Sequence, residues 1–397
     1  MHFKRREFLQ IGSLATASLM MPKFLKAFEK PAMVPAGNKV VVVLQFSGGN
    51  DGLNTVIPFS NDIYYRERKV IGIKKEDALS LTDAAGLHPS LEAFKGLYDE
   101  GNLSIMNNVG YPNPDRSHFR SMDIWQSASA SNEYINTGWI GRYLDSQCKG
   151  CDKPTQALEL DDTLSLALKG YNNKGLAFKD PRKLYNASNE KFYKDINAAH
   201  LKTEETVDYL YKTMSETLSS ADYIFKQSKI NPTTQSYPAT ELGKNLKTIA
   251  SLIISDINTK VYYVSLGSFD THVNQVQQQK KLLDELDGAV KAFTTDLKSN
   301  NRFDDVLMMT FSEFGRRVSQ NASNGTDHGT ANNMFFISGG LKQKGLLNEL
   351  PDLLNLHEGD LKHTVDFKNV YATVLNNWLG VNDKNILGGS YEKMNFI

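Results

Sequence analysis

Cysteine is almost missing from this chain: two residues, Cys148 and Cys151, in 397. That count rules out a four-cysteine zinc site. In an oxidising compartment the "CKGC" pair reads as a local disulfide rather than half of a zinc site, and it lacks the strand-then-helix surroundings of a thioredoxin-like redox motif. An excess of either charge is missing too, since 45 lysines and arginines face 45 aspartates and glutamates. Nothing in that balance argues for nucleic acid or an anionic membrane as a partner. Beyond the first thirty residues no segment is apolar for long enough to make a transmembrane helix. Internal repeats and low-complexity tracts are also lacking. What is present is 40% hydrophobic and 10% aromatic, enough for a large globular core.

The amino terminus stands apart. "KRREFLQIGSLATASLMMPKFLKAF" has a basic start, a short apolar run and then basic residues again. Arg5 and Arg6, followed by Glu7, Phe8 and Leu9, resemble a twin-arginine export signal. Leu9 to Met21 is diluted with alanine, glycine and serine and is short for a bilayer span. Residues 1–30 are therefore expected to be a targeting peptide read by the twin-arginine translocase, which makes the mature protein periplasmic or secreted. An amphipathic amino-terminal helix is the alternative. Twin-arginine export carries folded proteins, often already loaded with a metal or cofactor.

From residue 38 onward apolar runs alternate with helical patterns, which predicts one α/β domain: a doubly wound, mostly parallel sheet with helices on both faces. "KVVVVLQFSGGNDG" (Lys39 to Gly52) reads as a buried strand ending in a glycine-rich loop. "SLEAFKGLYDEG" is a helix, with Leu91, Phe94 and Leu97 on one face, and "NLSIMNNVG" a second strand. "KVYYVSLGSFDTH" (Lys260 to His272), "DDVLMMTFSEFGRR" and "NMFFISGG" supply three more strands. "QVQQQKKLLDELDGAVKAFTTDL" and "FKNVYATVLNNWLG" supply two more helices. About 193–257 the pattern is helical and polar, and reads as an insertion covering one face.

Polar residues fall where such a sheet binds ligands, beyond the carboxyl ends of its strands. Asp51 ends the first strand, Asp270 and His272 the third, and Glu313 the fourth, while Asp327 and His328 lie in the loop entering the fifth. Carboxylates and imidazoles converging on one edge suit zinc, manganese, magnesium or calcium. Each residue also has a plainer reading: a turn at Asp51, a helix cap at Asp270, an ion pair of Glu313 with Arg316 or Arg317, a satisfied loop histidine at His328. Their joint occurrence at successive strand ends is what favours a metal. In "PDRSHFR" Ser117 offers a nucleophile, and Arg116, His118 or Arg120 can orient an anionic group. The same stretch also suits a plain helix start with Asp115 as its cap and Arg116 and Arg120 on a solvated face. Asn107 and Asn108 are placed to line the same cleft, and Asp366 to start the last helix.

Five separated blocks, "FSGGNDGLNTVIPF", "RSHFRSMDIWQS", "GSFDTHVNQ", "TFSEFGRRVSQNASNGTDHGTANNMFFISGG" and "TVDFKNVYATVLNNWLG", resemble exported bacterial proteins grouped as domain of unknown function 1501. Those resemble, more distantly, the alkaline phosphatase, sulfatase and phosphoglycerate mutase superfamily. The resemblance implies an alkaline-phosphatase-like sheet and a metal-dependent hydrolase of a phosphate or sulfate ester, on a small molecule or a polysaccharide. Position by position, it implies Asp51 as the ligand after the first strand and Asp270 with His272 as an Asp-His pair. Glu313 takes an acid's place and His328 that of a late histidine, with Ser117 as nucleophile by order. Two departures accompany it: Phe314 stands where a ligand histidine is expected, and Asp270 and His272 are closer in sequence than the pattern asks. The alternative is a non-catalytic secreted protein that binds a glycan or partner and keeps a degenerate metal site.

Overall fold

A computed structural model describes residues 38–147, 154–190 and 205–397, with the side chains of the last segment described from residue 216. The twin-arginine stretch and the Cys148–Cys151 pair lie outside these residues, as does the first part of the expected insertion. No helix among the described residues is long and apolar enough to cross a membrane.

The valine run Val40–Phe46 forms β1, Leu103–Gly110 β2, Ala157–Glu159 β3 and Leu176–Ala177 β4. Val261–Leu266 is β5, Val306–Ser312 β6, Asn332–Ile337 β7, Gly345–Leu346 β8 and Val365–Asp366 β9. They join one sheet in the order β8-β2-β7-β6-β1-β5-β3-β4, with β9 also on β2. Pairing is parallel except along β7, which runs against both β2 and β6.

Along β1 the side chains alternate between two cores, as a period of two requires. Val40, Val42, Leu44 and Phe46 face one, with Phe94, Leu246 and Leu283, whose helices are Glu92–Asp99 (α1), Glu241–Ile254 and Gln275–Ser299. Val41 and Val43 face the other, with Ile124, Ile140 and Tyr371 from helices His118–Ser127, Trp139–Gln147 and Phe367–Thr373. The sheet thus has helices on both faces. Each fully buried valine or leucine stabilises the fold by about 1.5–3 kcal/mol relative to exposure, so β1, buried at all seven positions, is an anchored central strand.

The reversed strand matters for the site. Because β7 is antiparallel, its amino end lies at the same edge as the carboxyl ends of β1, β5 and β6. β2, antiparallel to β7, sends its carboxyl end there as well. Five chain segments far apart in sequence therefore meet at one edge.

Candidate metal centre

Three histidines face one carboxylate at that edge. His272 Nε2 and His328 Nε2 lie 3.1 and 3.2 Å from Asp270 Oδ1, and His118 Nε2 lies 3.6 Å from Asp270 Oδ2. His118, Asp270 and His328 each place a ligand atom within 4.8 Å of the others, and His272 Nε2 is 3.0 Å from His328 Nε2.

The opposite side of each ring is pinned. His118 Nδ1 sits 2.8 Å from Glu313 Oε1, His272 Nδ1 3.0 Å from Asp327 Oδ1, and His328 Nδ1 2.8 Å from the Arg116 carbonyl. A carbonyl or a carboxylate can only accept, so each Nδ1 carries the proton and donates it. In the neutral ring that leaves Nε2 a bare lone pair. With all three rings neutral, three lone pairs would face one carboxylate, and His118 Nε2 is buried without a hydrogen-bond partner. This donor set fits a divalent cation, and carboxylate or carbonyl partners on the far ring nitrogen are the usual support for metal-binding histidines.

The surroundings hold these side chains still. Glu313, at the end of β6, also accepts from the Gly48 N–H at 2.8 Å, and its own carbonyl accepts from Trp125 Nε1 at 2.9 Å. Trp125 stacks between Phe311 and Phe367. Arg316 is buried and donates to the carbonyls of Gly48, Gly49, Phe269 and Thr326 as well as to Asp270 Oδ1, the last at 2.6 Å. It ties together the loops after β1, after β5 and before β7. The loop after β1 needs glycine: Gly48 and Gly49 have φ of +116° and +76°, and a Cβ on them would meet Asp270 N at 2.5 Å and the Phe314 ring at 2.4 Å.

Charge follows these contacts. Burial works against ionised Asp270, but the hydrogen bond and charge of Arg316, aided by His328 and His272, outweigh it and hold the carboxyl at about 2. The Glu313 hydrogen bond raises His118 against its burial. Burial lowers His328, and the His272 hydrogen bond lowers Asp327. The ionised carboxylate that a metal needs is thus in place.

Asp270, His272 and His328 come together at this edge, with Glu313 and Asp327 behind them. His118, read there as orienting an anion, belongs among the inward-facing imidazoles. Asp51 stays apart: its Oδ1 caps the short helix Gly52–Thr55, and its Oδ2 takes Arg68 and Gln275, all buried. Glu313 pairs with His118 rather than with Arg316 or Arg317. Arg116 is engaged with Asp360 and Glu358, so its carbonyl serves the cluster and its guanidinium does not. Arg120, far from solvated, is buried and donates to the carbonyls of Ala130, Ser131 and Glu133. Ser117 is exposed directly before His118, with its N–H on Asp115 Oδ1 at 2.7 Å. Asn107 and Asn108 are buried within β2, and Asp366 caps the helix Phe367–Thr373. Arg316 as organiser was missed, although its place three residues after Glu313, at the same strand end, pointed to it.

The family model described as protein of unknown function, DUF1501, matches residues 38–390. The chain belongs to the DUF1501 family. No curated protein matches this DUF1501 chain. Similar solved structures include the C-terminal periplasmic domain of EcEptC from Escherichia coli in complex with Zn, at 10% identity over 76% of this chain and 74% of that one, TM-score 0.37. The lipoteichoic acid synthase LtaP from Listeria monocytogenes is 10% identical over 91% and 77%, TM-score 0.40. BT1596, a 2-O GAG sulfatase, is 9% identical over 90% and 76%, TM-score 0.42.

Proposed function

We propose that this DUF1501 protein is an exported hydrolase of phosphate or sulfate esters working with a divalent ion held by His118, Asp270, His272 and His328. The observation that carries the reading is the convergence of three histidine Nε2 atoms on the Asp270 carboxylate. A bound ion supplies Lewis acidity at the anionic end of the ester and makes a hydroxyl nucleophile easier to deprotonate. Ser117, the residue just before the helix that His118 opens and open to solvent, is the candidate hydroxyl. Glu313, Asp327 and the Arg116 carbonyl keep the three imidazoles in one tautomer. Arg316 holds Asp270 ionised and its loop in place. Zinc and manganese suit the imidazole-rich set better than magnesium or calcium, which prefer oxygen ligands.

One observation favours the second reading, a secreted glycan- or partner-binding protein with a structural ion. The Phe314 ring packs against both His118 and His328, with centroids 4.8 and 4.7 Å away, covering part of the cluster. Turnover separates the two. Metal-loaded protein is assayed on 4-nitrophenyl phosphate, bis(4-nitrophenyl) phosphate and 4-nitrophenyl sulfate, alongside Asp270→Asn and Ser117→Ala. The hydrolase reading expects turnover of at least one ester and its loss in both variants. Metal bound by the wild type with no ester turned over would leave the binding protein.

A further inference from the structure

Next to the histidine cluster lies a cleft of about 310 Å³, and Glu313 with Phe314 forms the wall between the two. We propose that this cleft binds a neutral, hydroxyl-bearing six-membered ring, a carbohydrate unit. The ring's role as the alcohol half of an ester rests on the function proposed above; its binding does not.

Size comes first. The cleft is at the small end of ligand pockets, suited to about one ring and not to a long chain. Its wall is mostly carbon, from Tyr111, Phe314 and Leu361 among others, and such a surface matches the C–H face of a saturated ring. Its polar groups sit on the loop 357–363, on Asn113 and Asp115, and on Glu313 and Thr330.

Those polar groups select the ligand. The rings of His357 and His363 make no hydrogen bond to any described residue. Burial lowers the pKa of His363, so its ring is neutral at pH 7, with one nitrogen donating and the other accepting. Lys362 donates to Asn355 and faces no acid partner among the described residues, while Asp115 uses one oxygen on the Ser117 N–H. Donors and acceptors are thus both on offer, which is what a hydroxyl needs because it does both. Lys362 against the two carboxyl groups of Asp115 and Glu313 leaves no excess of positive charge to select an anion. An alkyl group would leave the half-buried His363 nitrogens without water or partner, a cost that disfavours it. Gly110 helps to set this wall, since a Cβ there would come within 2.9 Å of His363 Cβ.

Saturation-transfer NMR on the metal-loaded protein tests the idea with D-glucose, D-galactose, N-acetyl-D-glucosamine, D-glucuronate and 1-hexanol as separate probes. At least one neutral sugar should bind, more tightly than glucuronate or hexanol. His363→Ala should weaken it about fivefold, the worth of one hydrogen bond, and the exposed His357→Ala guards against a fold effect by weakening it with the structure untouched. Binding of no neutral sugar, preference for hexanol or glucuronate, or no change in either variant would overturn the proposal. Repeating the titration after chelation keeps the two ideas separate. Sugar binding in a protein that takes up no metal would keep the cleft and end the ester reading, whereas metal uptake without sugar binding would end the cleft.

Discussion

An imidazole nitrogen carries either a proton or a lone pair, and its partner across the ring decides which. Glu313, Asp327 and the Arg116 carbonyl make that decision for His118, His272 and His328. Glu313→Gln keeps an acceptor for the Gly48 N–H but loses the charge behind His118, so divalent-metal affinity should fall about 10–100-fold with the circular dichroism unchanged. Asp327→Asn should lie at the weak end of that range, because its carboxylate is more than half exposed, at 57%. His118→Ala, which removes an inward nitrogen outright, should cost more than either in the same titration. At this scale the sequence made Asp270, His272 and His328 legible, since each stands at a strand end. It hid the direction of His118, because a residue opening a helix can face substrate, solvent or its neighbours. It also hid the role of Arg316, whose five contacts go to loops that only folding brings together.

At the scale of elements, two buried ties hold the ligand loops to the sheet. Arg316 is one. The other is Arg68, fully buried, which pairs with Asp51 and donates to the carbonyls of Arg317 and Val318. Arg68→Ala leaves Asp51 charged and buried, and urea unfolding should show a loss of about 3–5 kcal/mol. Asp51→Asn strands Arg68 and should destabilise too, yet protein that remains folded should still take up metal, because Asp51 is not turned toward the cluster. Metal lost from folded Asp51→Asn would return Asp51 to the ligand set. The five long strands and the helices flanking them are readable from apolar runs and helical spacing. The strands of two or three residues are not, since so short a run has no measurable period, and they form only because a neighbour is already in place. Nor does "NMFFISGG" say that its strand runs backwards: both faces are buried whichever way it points, so its pattern is the same in either direction.

For the whole molecule, charge and address matter most. Glu159 is buried on β3, accepting from the Ser165 N–H at 2.7 Å, and burial pushes its carboxyl up to about 7. Its folded pKa lies above the ordinary 4.5, so the folded chain binds the extra proton. The stability it contributes is present below about pH 4.5 and is lost as pH rises through 7. Glu159→Gln should therefore gain up to about 3 kcal/mol at pH 8 and little at pH 4, read from denaturant midpoints. If Arg5 and Arg6 address the folded protein for export, their replacement by lysine, which keeps charge but not guanidinium geometry, should leave precursor in the cytoplasmic fraction; unchanged export would remove that route. The central claim is that the three histidines and Asp270 hold an ion, and elemental analysis with calorimetric titration tests it most directly on wild type and His118→Ala. The account predicts one divalent ion per chain in the wild type and a loss of affinity of at least about 100-fold in the variant. No uptake by the wild type, or equal uptake by both, would contradict it.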